Sequence, residues 1–281
     1  MSGILPLVGP GTQPIGEDGA DLQYMEMPKT MRTYSAPSLP EPDEVNDIAA
    51  ALEVLKSIRD AAENYDPGLP SATFDITGLK ASDRAFIDQA LGEGEVSIVA
   101  GGAMQVQESV LAGIWRVHET DADGILRRDL IEVGAFPGHV LDIAAAGTLE
   151  QVRSQRGPLP QGVLNAPALI TEIDDKVVKF KPGSPAHVVN LTLLPQTDED
   201  LTFLEEQLGP GAVTILSRGY GNCRITSTSI RNVWWVRYFN SRDAIVLNTI
   251  EVVDVPNVAC AASEDLKDSA QRLGEILEVY R

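Results

Sequence analysis

DPGLPSATFDITGL, residues 66–79, recurs as KPGSPAHVVNLTLL, residues 181–194. Pro67, Gly68 and Pro70 align with Pro182, Gly183 and Pro185, and Thr77 with Thr192, at an offset of 115. The correspondence continues towards the C-terminus. FIDQALGEGEVSI (86–98) meets FLEEQLGPGAVTI (203–215) at an offset of 117. Trp115 and Val117 then align with Trp234 and Val236, and Ile131, Glu132, Val133 and Pro137 with Ile250, Glu251, Val252 and Pro256, at 119. The offset grows in steps of two between elements, where loops tolerate added length. Order kept over this length predicts a tandem duplication of residues 47–157 and 162–281.

Both copies predict the same elements. Val45, Ile48, Leu52, Leu55, Ile58 and Ala62 recur at helical spacing over 45–64, as do Leu169, Ile170, Ile173 and Val177 over 166–179. A Pro-Gly-x-Pro turn leads into a short strand, Ala72–Ile76 or His187–Leu191. Ser82 and Thr197 are candidate N-caps of a second helix, the latter with Asp200 three residues on. Gly92 and Gly209 are placed to stop that helix. Three strands are expected next in the first copy: Val96–Val99, a long Met104–His118 and Ile125–Val133, with Asp123-Gly124 turning the last hairpin. A helix closes each copy, 139–153 and 263–279. The expected fold class is α+β: a tandem duplication of an αβαβββα unit, with an antiparallel sheet and helices in each half, the halves related by a pseudo-two-fold axis.

Residues 1–46 differ in character. They hold seven of the 18 prolines and four of the five methionines, and read as a Pro-rich N-terminal arm. Within it, LVGPGTQP (7–14) follows an apolar start and is suited to docking as a short sticky segment. No basic n-region precedes that stretch, so no secretory signal is expected and the cytoplasm is the expected compartment.

Composition excludes several classes. The 281 residues carry 41 acids against 22 bases, a net charge of -19 that repels phosphate backbones and anionic lipid. Nucleic-acid and membrane roles are therefore not expected, and a basic partner is favoured. Mean hydropathy is -0.04 and no apolar run approaches the length of a membrane span. Two cysteines, Cys223 and Cys260, make neither a disulfide framework nor a four-thiolate site.

No catalytic constellation emerges. His118, His139 and His187 fall in unlike settings, with no HExxH and no close histidine pair, so no metal site is expected. Cys223 and Cys260 align with Met104 and Leu141, which reads as two small core residues; the rival reading is one reactive thiol. Gly92-Glu93-Gly94 and Gly209-Pro210-Gly211 follow helices and precede strands, the reverse of a phosphate loop. Asp121-x-Asp123-Gly124 begins like a calcium loop but lacks the later acidic ligand. What stands out is RNVWWVR (231–237). Trp234 and Trp235 are adjacent on a strand, so their rings point to opposite faces, and Trp235 marks either a second buried layer or a recognition surface.

These stretches carry a family resemblance. LVGPGTQP (7–14), LGEGEVSI (91–98), GIWRV (113–117), NLTLLP (190–195), LGPG (208–211), RNVWWVR (231–237) and EDLKDSAQRLGEI (264–276) occur in an order that resembles the HupH/HyaF accessory proteins of uptake NiFe-hydrogenase operons. The resemblance implies a non-catalytic maturation factor without a cofactor. It would act on the hydrogenase small-subunit precursor before export, together with a thioredoxin-like hydrogenase accessory protein. It transfers no catalytic residues. The expected partner-binding residues are Pro10 and Gly11 of the arm and Arg231, Trp235 and Arg237 of the strand. The alternative is a metal or iron–sulfur cluster handling protein, or an enzyme, with a site at the seam between repeats involving Cys223 and His187. A scaffold for the thioredoxin-like companion alone is a third reading.

Overall fold

The structure, a computed structural model, describes residues 39–41, 47–152, 157–219 and 221–280. Pro10 and Gly11, with nearly all of the expected arm, lie outside the described residues. The first half runs α1 (Ala49–Glu63), β1 (Ala72–Asp75), α2 (Ala81–Leu91), β2 (Val96–Ala100), β3 (Met104–Glu108), β4 (Ile114–Thr120), β5 (Leu126–Val133) and α3 (Gly138–Ala145). The second runs α4 (Ala166–Lys179), β6 (His187–Asn190), α5 (Asp198–Leu208), β7 (Pro210–Ser217), β8 (Asn222–Thr228), β9 (Val233–Phe239), β10 (Ile245–Val252), a 3-10 turn (Asn257–Ala259) and α6 (Ser263–Val279).

The ten strands of the described residues form one antiparallel sheet in the order β1-β5-β4-β3-β2-β7-β8-β9-β10-β6. The order reads the same from either edge once the halves are exchanged. β2 and β7 join them, with Ile98 opposite Ile215, Val96 opposite Ser217 and Ala100 opposite Val213. Ile98 and Ile215 are aligned residues, so exchanging the halves maps this register onto itself, as in an isologous contact.

The αβαβββα unit is one strand short of what is observed. The expected long strand Met104–His118 is two strands, β3 and β4, folded about residues 109–113. Ser109 Oγ accepts from the Leu111 amide (3.1 Å) and donates to the Leu111 carbonyl (2.7 Å), and Gly113 takes φ 78°, so the chain reverses. Leu111 accordingly packs in the cluster under α1, α2 and α6, on the sheet face opposite Trp115. The expected helix 139–153 stops at Ala145, before Gly147 at φ 69°. Ser82 lies inside α2, whose N-cap is Lys80, whereas Thr197 forms a capping box with Asp200. Gly92 and Gly209 end their helices as expected, at φ 56° and 62°.

One sheet face carries a core common to both halves, with Ile98, Trp115, Ile215 and Trp234, covered by α3 and the 3-10 turn through Val140 and Ala259. The other face carries two separate clusters. Leu55, Phe86, Ile131 and Leu273 pack under α1, α2 and α6; Ile173, Phe203, Trp235 and Ile250 pack under α4 and α5. The final helices are exchanged: α3 packs on β7 and β2, and α6 of the second half packs along α1 of the first. Each α6 leucine buried there contributes about 2 kcal/mol.

Candidate functional site

That exchange leaves the halves unequal in one place. In the first half α6 closes the space beside the β3–β4 turn. Leu266 is fully buried, a Cβ on Gly113 would come within 2.5 Å of it, and Ser269 Oγ donates to the Ala112 carbonyl at 2.9 Å. In the second half, at the offset of 119, Leu266 is replaced by Gly147. Among the described residues no helix continues there, and a cleft of about 560 Å³ lies beside the β8–β9 turn.

The cleft is bounded by the end of α3, by Glu150 and Gln151, by the C-terminal end of α4, and by the β8–β9 turn. Ile230 bridges Leu149; the Leu149 amide donates to Ser229 O (2.8 Å) and the Arg231 amide to Leu149 O (2.9 Å). Val152 N donates to Asp174 Oδ1 of α4 at 2.8 Å. Asn232 sits at φ 60°, a conformation its short amide tolerates, and its Nδ2 reaches Asp254 Oδ1 at 3.5 Å. Asp254 Oδ2 accepts from Gly183 N (2.7 Å), and its carbonyl accepts from Trp234 Nε1 (3.2 Å). The walls are apolar: Leu141, Ala144 and Ala145 on one side, Val177, Val178 and Phe180 on the other, with Trp234 at the floor. Arg231 and three carboxylates, Asp142, Glu150 and Asp254, supply the charge. At the aligned positions of the closed half stand Ala112 for Arg231, Gly113 for Asn232 and Ala135 for Asp254.

The expected site residues do not form one surface. Arg231 is exposed and lines this cleft. Trp235 lies across the sheet beneath α4 and α5, 5% exposed, its Nε1 donating to Asn248 Oδ1 at 2.6 Å. It is the second buried layer and presents no ring to a partner, because the opposite sheet face is also covered by helices. Arg237 shares that face, 4.4 Å above the Trp235 ring and paired with Glu205. Trp234, Asn232 and Asp254 were not singled out as site residues. The signal for two of them is the comparison of copies, which marks where charge or amide replaces a small side chain.

The seam residues Cys223 and His187 are not together. Cys223 is on β8 and His187 on edge strand β6, with β9 and β10 between them. Burial pushes the Cys223 thiol up to about 11 and the Cys260 thiol up to about 12, so both are protonated near neutral pH. Each histidine has its own carboxylate: His118 with Asp129 (3.3 Å), His139 with Glu132 (2.6 Å), His187 with Glu172 (2.7 Å). Among the described residues no group of three or more His, Cys, Asp or Glu is placed to hold a metal ion. Ser71, Glu132 and His139 come together unannounced by the sequence. The Ser71 hydroxyl, however, donates to Glu132 (2.9 Å), which also accepts from Gly138 N at the start of α3 (2.6 Å). This is a helix-start carboxylate with two neighbours, without the nucleophile-to-base contact of a triad. Among the described residues no helix is long and apolar enough to cross a membrane.

The chain belongs to the HupH family of hydrogenase expression proteins: the C-terminal conserved region of that family matches residues 48–153 and again 163–280. The hydrogenase expression/formation protein HoxQ of Cupriavidus necator is 49% identical over 274 residues, spanning 97% of this chain and 95% of that protein. HupH of Rhodobacter capsulatus, also a hydrogenase expression/formation protein, is 49% identical over 275 residues, 97% of this chain and 96% of its own. A solved structure of hydrogenase expression protein HupH from Thiobacillus denitrificans is 28% identical, covering 41% of this chain and 93% of that one, with a TM-score of 0.36.

Proposed function

We propose that this chain is a non-catalytic accessory chaperone for maturation of an uptake NiFe-hydrogenase. It holds the small-subunit precursor in the cytoplasm before export, alongside a thioredoxin-like accessory protein. The names of its relatives support a maturation role. The observation that carries the binding mode is the open cleft, apolar in its walls and acidic at its rim, with no His or Cys among its described lining residues. Such a lining favours adhesion to a polypeptide over chemistry. The same reading takes 47–157 and 162–281 as copies of one ancestral unit behind an arm, 1–46. The palindromic strand order and the repeated family match support it.

Co-purification tests the function. Tagged small-subunit precursor, expressed with the full chain, is expected to retain it, and Arg231→Glu to reduce retention. No complex, with or without the export signal, overturns the proposal.

A further inference from the structure

Among the described residues, the centre of the sheet is uncovered on the face that carries α1, α2 and α6 at one end and α4 and α5 at the other. No residue of β2, β3, β7 or β8 belongs to either cluster on that face, and Val99 and Leu216 are 51% and 36% exposed. Side chains there meet in cross-strand rows. Leu216 stands opposite Arg224 and Arg224 opposite Arg237; the same row of the first half reads Val99, Gln105 and His118. The copies differ in one direction. Arg224 stands where the first half has Gln105, Phe239 where it has Thr120, and Arg218 where it has Gly101. The β7–β8 hairpin is also two residues longer than β2–β3, the step in offset from 117 to 119. Leu216, Arg218, Arg224 and Phe239, with Asn222 and Asp243, line a pocket of about 260 Å³ at this hairpin.

Arg224 lies over the Phe239 ring, 5.7 Å from its centroid, a contact that holds the guanidinium in place. Like charges directly opposite each other on neighbouring strands are unfavourable. Arg237 is answered by Glu205, whereas among the described residues neither Arg224 nor Arg218 has an ion pair. The acids close by do not answer them. Glu95 lies against Gly219, where a Cβ would come within 2.1 Å of its carboxylate, and Asp243 sits in the β9–β10 turn at φ 57°. In a chain of net charge -19, two arginines lining one pocket keep a positive charge that the fold does not neutralise.

We infer that this pocket binds a carboxylate carried by a polypeptide, with an adjacent apolar side chain of that polypeptide laid on Leu216 and Phe239. The inference rests on the proposed function only for the ligand being a polypeptide; the anionic chemistry comes from the pocket. Arg224 offers paired N–H donors to the two carboxylate oxygens, and Arg218 adds a second charge. The volume suits one side chain and its carboxylate and is small for a whole cofactor. A free chain end and an Asp or Glu side chain present the same two oxygens beside an apolar neighbour.

The test titrates the full chain with N-acetylated peptides and follows the arginine Nε–Hε signals by NMR. GSGSGL with a free C-terminal carboxylate represents a chain end, GSGLDG with an amidated end an internal acid, and amidated GSGSGL the neutral control. At least one carboxylate peptide is expected to bind about tenfold or more tightly than the control, and which one does so identifies the source. Arg224→Gln, which installs the residue of the first half, should weaken that peptide by about tenfold or more while the thermal midpoint holds. Arg218→Gln should weaken it too, and Arg84→Gln, an arginine of α2 outside the pocket, should not. Equal binding of acid and amide, no binding of any peptide, full binding to Arg224→Gln, or equal loss in Arg84→Gln overturns the inference. Inorganic phosphate binding as tightly as the peptides overturns the polypeptide ligand. If the peptides fail and the precursor still co-purifies, the pocket assignment falls and the maturation role stands. If a peptide binds through Arg224 and the precursor does not co-purify, the reverse holds.

Discussion

The two shoulders of the sheet start from aligned sequence and end differently. Beside β3–β4, Gly113 lets Leu266 approach and α6 seals the core; beside β8–β9, Asn232 and Arg231 face an open cleft. The lesson is that one core-building scheme accepts two kinds of cover: helix α6 in the first half, and the extended segment with Leu149 and Val152 in the second, which leaves a cleft beside it. Leu266→Ala is expected to cost about 4 kcal/mol in urea unfolding, a cavity in a fully enclosed place, while Val178→Ala, on the corresponding wall of the open side, should cost under about 0.5 kcal/mol. Equal losses would mean that the two sides do not differ in closure.

A second pair of aligned clusters lies on the opposite face. In the first half Arg116 holds Asp129 with two hydrogen bonds (2.5 and 2.7 Å) and also reaches Asp88. In the second, the aligned residues are Trp235, Asn248 and Glu205, and the cation has moved to Arg237 from the position of His118. Burial works against the Asp129 charge, but hydrogen bonds from His118 and Arg116, with their charges, hold the carboxyl at about 2. Arg116→Ala should therefore cost about 3 kcal/mol at neutral pH by stranding a buried carboxylate. Because the folded value is depressed below 3.8, the stabilisation is complete above about pH 4 and fades as pH falls towards 2. Chemical denaturation at pH 7 and pH 2.5 should show the mutant's deficit shrinking.

Glu108 and its aligned residue Ser227 differ in the same spirit. Ser227 Oγ accepts from Val213 N at 2.9 Å, whereas Glu108 Oε1 accepts only a long 3.3 Å bond from Gly113 N. Burial raises the Glu108 carboxyl to about 7, with Glu95 and Asp265 adding to it. A raised folded value means that folding takes up a proton, so stability should fall as pH rises from 4.5 through 7. Glu108→Gln is expected to gain about 1–2 kcal/mol at pH 8 and nothing at pH 4, flattening that slope. The smallest effect is expected at Arg237→Ala, under about 1 kcal/mol, since Glu205 is largely exposed and Trp235 already has Asn248. A loss matching that of Arg116→Ala would show the two clusters to be equivalent after all.

Local signals survived folding well. The apolar period over 166–179 is α4 to the residue, Thr197 with Asp200 caps α5, and Gly92 and Gly209 stop their helices, because each of these depends on neighbours within a few positions. The order of elements was legible from the sequence except for the extra strand made by the turn at residues 109–113. The site was less so: Arg231, Trp235 and Arg237 share one parity, but Arg231 lies in the turn before β9, where Asn232 at φ 60° redirects the chain, while Trp235 and Arg237 lie under α4 and α5. Periodicity over 139–153 also overran the helix at Gly147, and that short stop is what leaves the cleft.

Residue order alone carried the correspondence of 66–79 with 181–194 and the helix limits set by caps, which are comparative or short-range properties. Folding in three dimensions settled that β2 meets β7 to make one sheet, that α6 crosses to α1, and that one shoulder stays open. Those outcomes depend on which distant apolar surfaces find each other, and burial has no direction along the chain.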